Sequence, residues 1–128
     1  MLCNINSCVL EYPMTKDTLF LLKAGFTDNA YPSKTFLCPH GIAVEGVLPL
    51  YPELERQIDV RRVDFPRPRS EVIAVAGENN QGLPLLVLSS GKHSEHSTGK
   101  AGDTELVAGK DNILSALTEL YAVAELHP

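Results

Sequence analysis

Short apolar runs, separated by stretches rich in proline and glycine, recur along the chain and predict alternating strands and helices. The four strands are predicted at residues 18–23, 58–65, 83–88 and 104–108. The apolar run at 83–88 is typical of the interior of a sheet. Helical spacing of apolar residues predicts three helices, one from Pro39 to Pro49 and Pro52, one over residues 70–76 and one from Asp111. Ser70 and Asp111 are the expected N-terminal caps.

The predicted elements follow the order β-α-β-α-β-β-α. A helix between two strands favours parallel neighbours joined by a right-handed crossover. The two closing strands, joined through a polar segment, favour an antiparallel pair. We therefore expect an α/β fold of the thioredoxin-like type, a three-layer α/β/α sandwich around a four-stranded mixed sheet.

The length of 128 residues fits one domain. Residues 14–128 carry the predicted elements. Residues 1–13 show no clear period and end in Pro13, so we predict an N-terminal extension, either a loosely held arm or a segment upstream of a natural start at Met14. Cys3 and Cys8 lie in this extension, at a spacing that matches no metal or redox motif.

The overall charge and hydropathy exclude several classes of protein. A formal net charge of -5 argues against a general nucleic-acid surface, which needs a basic face. No apolar stretch is long enough for a membrane helix, and we expect no secretory signal at the N-terminus. Three cysteines, an odd number, indicate no disulfide framework, and a reducing cytoplasmic setting follows.

Four arginines cluster within nine residues, at Arg61, Arg62, Arg67 and Arg69. We interpret them as a solvated strand end and loop. The alternative is an anion site for a carboxylate or a phosphate.

Cys38 lies between a long connection, residues 24–37, and the predicted start of a helix at Pro39. Free backbone N–H groups and the helix dipole favour negative charge at such a position. They therefore favour the thiolate of Cys38, the nucleophilic form of a cysteine. His40 adds to this effect when it is protonated. The alternative is a buried and inert thiol.

Three motifs in order resemble glutaredoxins and thioredoxins. The turn Cys38-Pro39-His40-Gly41 looks like their active-site turn, and Leu83-Pro84 looks like their cis-proline, which lies beside the thiol. The third motif, residues 109–114, resembles the glutaredoxin turn that opens the last helix and holds the γ-glutamyl end of glutathione. The resemblance places glutathione contacts on Leu83, Pro84, Lys110 and Asp111.

The runs KDTLFLLKAGF, CPHG and VRRVDFPRPR also resemble a small bacterial family of uncharacterised thioredoxin-like proteins. Cys-Pro-His-Cys is common at this turn in that family, whereas Gly41 stands here at the position of the second cysteine. The resemblance therefore implies a monothiol glutaredoxin-like oxidoreductase, with Cys38 as nucleophile and glutathione or a protein thiol as partner. Thr35 occupies the position where glutaredoxins carry a lysine.

Other functions stay open at this point. A redox-inactive binding or regulatory module would use the loops 24–37 and 89–103 to contact a partner. A peroxide-responsive thiol would need Cys3 or Cys8 as its resolving partner. A glutathione transferase would need a second, helical domain. His93 and His96 have a metal-ligand spacing, but the polar loop offers no third ligand, and no metal site is predicted.

Overall fold

The computed structural model describes residues 15–128; the predicted N-terminal extension, with Cys3 and Cys8, lies outside the described residues. The strands are β1 (Asp17–Leu22), β2 (Ile58–Val63), β3 (Leu85–Val87), β4 (Gly99–Ala101) and β5 (Thr104–Ala108). The helices are α1 (Pro39–Glu45), α2 (Val47–Leu50), α3 (Pro52–Gln57), α4 (Ser70–Ala76) and α5 (Lys110–Tyr121). No helix in this part of the chain is both long and apolar enough to span a bilayer.

The strands form one mixed sheet with the order β2-β1-β3-β5-β4. β1 and β2 are parallel, as the helical connection between them predicts. The other three pairings, β1 with β3, β3 with β5 and β5 with β4, are antiparallel. The predicted mixed sheet is therefore confirmed in its four main strands.

Helices cover both faces of the sheet, because successive side chains of each interior strand point to opposite faces. In β1, Leu19 and Leu21 pack with the helices α1, α2, α3 and α5 on one face. Phe20 points to the other face and packs with Val72 and Ala76 of α4. The predicted three-layer sandwich is confirmed.

Some predicted details are wrong. The sheet has five strands, because Gly99–Ala101 pairs with β5 through the two-residue turn at Gly102 and Asp103, within the predicted loop 89–103. A Gly-Asp pair suits such a hairpin, and Gly102 has a φ of 60°.

The helix predicted from Pro39 is three short helices. Pro49 lies inside α2 and Pro52 opens α3, because the first helical turn needs no N–H from proline. The expected caps are also wrong, since the residues at the N-cap positions of α4 and α5 are Arg69 and Gly109.

Candidate functional site

Four connecting segments meet at one end of the sheet, which we call the thiol end and define by Cys38, Arg69, Pro84 and Gly109. Cys38 and Arg69 follow the carboxyl ends of the parallel strands β1 and β2. Pro84 precedes β3, which runs antiparallel to β1, and Gly109 follows β5, which runs antiparallel to β3. The register of the strands therefore brings the three motifs of the sequence to the same end.

Cys38 is a free, partly buried thiol at the N-cap position of α1. Its Sγ accepts a hydrogen bond from the backbone N–H of Gly41, with 3.3 Å between the sulfur and the nitrogen. This bond holds the sulfur against the first turn of α1. The predicted position of Cys38 at the start of a helix is thus confirmed.

Gly41 lies one helical turn from Cys38 and leaves space where a side chain would meet the thiol. A Cβ atom at position 41 would lie 3.4 Å from the Cβ and 3.5 Å from the Sγ of Cys38. Paired cysteines have Cβ atoms roughly 3.5–4.5 Å apart. Position 41 therefore lies close to the Cβ spacing of paired cysteines, and the glycine there supplies no second thiol.

His40 is exposed on the first turn of α1. Among the described residues, no hydrogen bond joins its ring to Cys38. The role of His40 as a charge near the thiol stays a prediction.

The predicted cis peptide bond between Leu83 and Pro84 is present. The N–H of Gly109 points to the carbonyl of Pro84 at 3.4 Å, so these two segments touch. At the start of α5, the Lys110 Nζ lies 2.9 Å from Asp111 Oδ1 in an exposed ion pair. The segments assigned to glutathione by resemblance are thus neighbours at the thiol end, and their contact with glutathione stays a prediction.

Arg69 departs from the interpretation of the arginine cluster as solvated. Arg61, Arg62 and Arg67 are exposed, whereas Arg69 is only 8% exposed. Its guanidinium donates hydrogen bonds to the carbonyls of Phe65 and Gln81. No local pattern in the sequence separates Arg69 from the other three arginines, because its burial depends on its contacts with Phe65 and Gln81.

An aromatic cluster orders the long connection before Cys38. Phe26 and Phe36 form an antiparallel β-bridge inside residues 24–37, so this connection is a small hairpin. Phe26 stacks on Phe65 with ring centroids 4.5 Å apart, and Tyr31 packs edge-on against Phe36. The hairpin is thereby tied to the segment that carries Arg69.

The opposite end of the sheet, which we call the acidic end, carries Asp17, Glu105 and Glu119. Asp17 has a fully buried carboxylate that accepts hydrogen bonds from the Ser89 N–H, the Lys92 Nζ and the Tyr121 hydroxyl. Burial and then the bond to Asp17 raise the pKa of Tyr121 to about 12. The hydrogen bonds to Asp17 and Tyr121 raise the pKa of Lys92 against the opposing effect of burial.

The two other carboxylates hold the polar loop at this end. Glu105 pairs with the His93 ring at 2.8 Å and accepts the Ser94 N–H, and these bonds lower its pKa. Glu119 accepts the Ser94 hydroxyl at 2.6 Å and the Glu95 N–H at 3.2 Å. Within residues 15–128, no three histidine, cysteine or acidic side chains gather in a cluster able to hold a metal.

No curated protein and no solved structure matches the chain. A family model does match residues 16–125, which covers the whole sandwich from β1 to the segment after α5. The family is DUF3088, described as a protein of unknown function. The expectation of an uncharacterised family is therefore confirmed: the chain belongs to the DUF3088 family.

Proposed function

We propose that this protein is a monothiol oxidoreductase of the glutaredoxin type that acts through Cys38. The observation that carries the proposal is the hydrogen bond from the Gly41 N–H to Sγ of a partly buried, free thiol. The same backbone would seat a second cysteine at position 41, so a dithiol turn is preserved in shape while one thiol is missing. Glutathione then serves as the second thiol.

The reaction has two exchanges at sulfur. The thiolate of Cys38 attacks the glutathione sulfur of a mixed disulfide between glutathione and a substrate. That disulfide breaks, a Cys38–glutathione disulfide forms, and the released substrate thiolate takes a proton from solvent. The thiolate of a second glutathione then attacks the glutathione sulfur of this intermediate, which releases oxidised glutathione and restores Cys38. The reduced cytoplasm is the setting in which this thiol supply exists.

The neighbouring segments support glutathione as the bound thiol. Gly109 and Pro84 meet within hydrogen-bond distance, and Lys110 and Asp111 follow directly on the exposed first turn of α5. These two adjoining segments, at the same end of the sheet as Cys38, support the resemblance to the glutathione site of glutaredoxins.

The proposal is tested by turnover of a glutathionylated peptide with reduced glutathione, followed by peptide mass spectrometry. We expect a Cys38–glutathione adduct as an intermediate and peptide release at a rate proportional to the protein concentration. Cys38→Ser is the matched control, because serine retains an N-cap acceptor for α1 while removing the nucleophile. A wild-type rate equal to that of Cys38→Ser would refute the function.

We propose a redox-inactive binding module as the second candidate, on the observation of exposed apolar side chains next to the thiol. Leu37 is 55% exposed and Ile42 is 50% exposed, on either side of Cys38. Tyr31, in the hairpin of residues 24–37, is also exposed. This function predicts no glutathione turnover and a Cys38→Ser variant that retains binding to a protein partner.

A further inference from the structure

β2 is an edge strand, with β1 on one side and, among the described residues, no strand on the other. The Lys23 N–H donates to the carbonyl of Val63 at 2.9 Å, so the backbone groups of Val63 face β1. Successive residues of a strand direct these groups to opposite sides. The backbone groups of Arg61 therefore also face β1, whereas those of Val60 and Arg62 point to the open side of β2.

The open side of β2 presents a row of hydrogen-bonding groups. Within residues 15–128, no loop or turn forms a backbone hydrogen bond with Val60 or Arg62. At the start of the strand, the Ile58 N–H donates to the carbonyl of Leu54 at the end of α3, so Ile58 offers only its carbonyl. An edge with unpaired N–H and carbonyl groups is a template for another strand.

The side chains of β2 carry opposite charges two residues apart. Asp59 and Arg61 point to the same face of the sheet, because side chains alternate along a strand. The Asp59 Oδ2 and the Arg61 Nε lie 2.8 Å apart, and the two side chains are 43% and 46% exposed. Both charges are therefore accessible to a strand that pairs with the open side.

A second copy of β2, paired antiparallel, meets this pattern in one register. With the two-fold axis at Val60, Asp59 of each copy lies opposite Arg61 of the other. An axis at Asp59 places two aspartates opposite each other, and an axis at Arg61 places two arginines so. Opposite charges in directly facing positions stabilise a strand pair and like charges destabilise it, so the charges select the register centred on Val60.

The backbone and the other face of β2 agree with this register. The two Val60 residues would exchange both of their hydrogen bonds, and each Arg62 N–H would reach the Ile58 carbonyl of the other copy. The Arg62 guanidinium already pairs with both carboxylate oxygens of Glu45, at 2.9 and 2.7 Å. It therefore brings no unmatched charge to its position opposite Ile58.

We propose that two copies of this chain associate through the open sides of their β2 strands, antiparallel and centred on Val60. The same strand of each copy forms the interface, which makes the contact two-fold symmetric and closed. The two five-stranded sheets become one continuous sheet. The inference does not involve Cys38, so it stands or falls independently of the proposed function.

The test is the molar mass of the full chain by sedimentation equilibrium over a range of concentrations, with reductant present to prevent disulfides between copies. We expect the mass to rise to twice that of one chain. Arg61→Asp and Asp59→Arg each place like charges opposite one another and should weaken the dimer roughly tenfold. Lys100→Asp is the matched control, because it reverses an exposed charge on the opposite edge strand, β4, and should leave the dimer unchanged.

Mixing the two weakened variants gives the sharpest result. Arg61→Asp carries two acidic side chains at these positions and Asp59→Arg carries two basic ones, so a mixed pair has opposite charges at both facing positions. We expect the equimolar mixture to form dimers at concentrations where each variant alone is monomeric. A wild-type chain that stays monomeric, single variants that dimerise like the wild type, or a mixture that stays monomeric would each overturn the proposal.

Amide hydrogen exchange by NMR tests the register without any variant. The Val60 N–H should exchange more slowly as the protein concentration rises, whereas the Arg61 N–H, which faces β1, should be protected at every concentration. Protection of the Val60 N–H that does not change on dilution would assign the open side of β2 to a segment of the same chain and would contradict the dimer.

Discussion

The buried charges at the two ends of the sheet have different kinds of partner. At the acidic end, the buried carboxylate of Asp17 is matched by Lys92, Tyr121 and a backbone N–H. At the thiol end, the guanidinium of the buried Arg69 donates hydrogen bonds to carbonyl oxygens and lies over the Phe65 ring. The Asp17 network pairs a buried charge with an opposite charge and holds elements together, whereas the buried Arg69 is held by neutral acceptors.

Under the proposed function, the acidic end contributes stability and the thiol end carries the chemistry. The Asp17 network joins the first residue of β1 to the loop after β3 and to the last turn of α5. The Cys38 sulfur, by contrast, accepts one hydrogen bond among the described residues, from the next turn of its own helix. Substitutions at the acidic end should therefore change the free energy of unfolding, and those at the thiol end should change reactivity.

The largest effect on stability is expected for Asp17→Asn. The variant leaves Lys92 without its buried counter-charge. It also replaces the carboxylate that accepts the Tyr121 hydroxyl by a neutral amide. We expect a loss of about 3 kcal/mol in the free energy of unfolding, at the low end of the cost of breaking a buried ion pair, because Lys92 is partly exposed. Urea denaturation measures it.

The matched control is Asp59→Asn, which breaks the exposed pair with Arg61. Its cost should stay below about 1 kcal/mol. Equal losses of unfolding free energy in the two variants would contradict the stabilising role of the acidic end. A change in the alkylation rate of Cys38 in Asp17→Asn would contradict the separation of the two ends.

Tyr121→Phe is expected to cost about 1 kcal/mol near neutral pH, because it removes the hydroxyl bonded to Asp17 and Lys92. The pKa of Tyr121 is raised to about 12 in the folded protein, above its ordinary value of about 10. A raised pKa in the folded state means that the stabilisation is complete below pH 10 and is lost as the pH rises toward 12.

The difference in unfolding free energy between Tyr121→Phe and the wild type should therefore shrink between about pH 10 and pH 12. Urea denaturation at a series of pH values measures this trend. Tyr31→Phe, at an exposed tyrosine, serves as the control and should show a small, constant difference. A gap that stays constant for Tyr121→Phe would contradict the raised pKa.

The smallest effect on stability, and the sharpest on chemistry, is expected for Gly41→Cys. The Cβ distances of 3.4 and 3.5 Å to Cys38 predict an intramolecular disulfide with little backbone movement. Mild oxidation should remove both thiols together, as judged by peptide mass spectrometry, and the unfolding free energy should change by less than about 1 kcal/mol.

Gly46→Cys is the matched control, because its Cβ would face helix carbonyls rather than Cys38. It should retain two separate thiols under the same oxidation. A Gly41→Cys protein that retains both thiols, or that pairs Cys38 with Cys3 or Cys8 instead, would show that the turn lacks dithiol geometry.

The sequence predicted the layers better than the ends of the elements. The apolar runs of β1 and β3 and the periodic α5 depend on local pattern, and the structure confirms them. The sequence pattern predicts that Pro52 ends a helix, although proline is equally suited to a helix start. The packing of Leu54 against the core decides for a helix start. The short strand β4 is exposed and polar, so it carries no apolar signal.

In the candidate site, too, residues in local motifs are predictable and residues that depend on tertiary packing are not. Cys38 and Pro84 were predicted because local motifs carry them. The sequence does not distinguish Arg69 from its exposed neighbours, because its burial depends on Phe65 and Gln81, which are 4 and 12 residues away. Burial of a charged side chain is a property of tertiary packing, and no local pattern reports it.

The most direct test of the account is the rate at which Cys38 exchanges with oxidised glutathione at pH 7, in the folded protein and in the same protein unfolded in urea. Because folding places the Gly41 N–H against the Cys38 sulfur, the account predicts faster exchange at Cys38 in the folded state than in urea. Exchange that is equal or slower in the folded state would contradict the assignment of Cys38 as the reactive thiol.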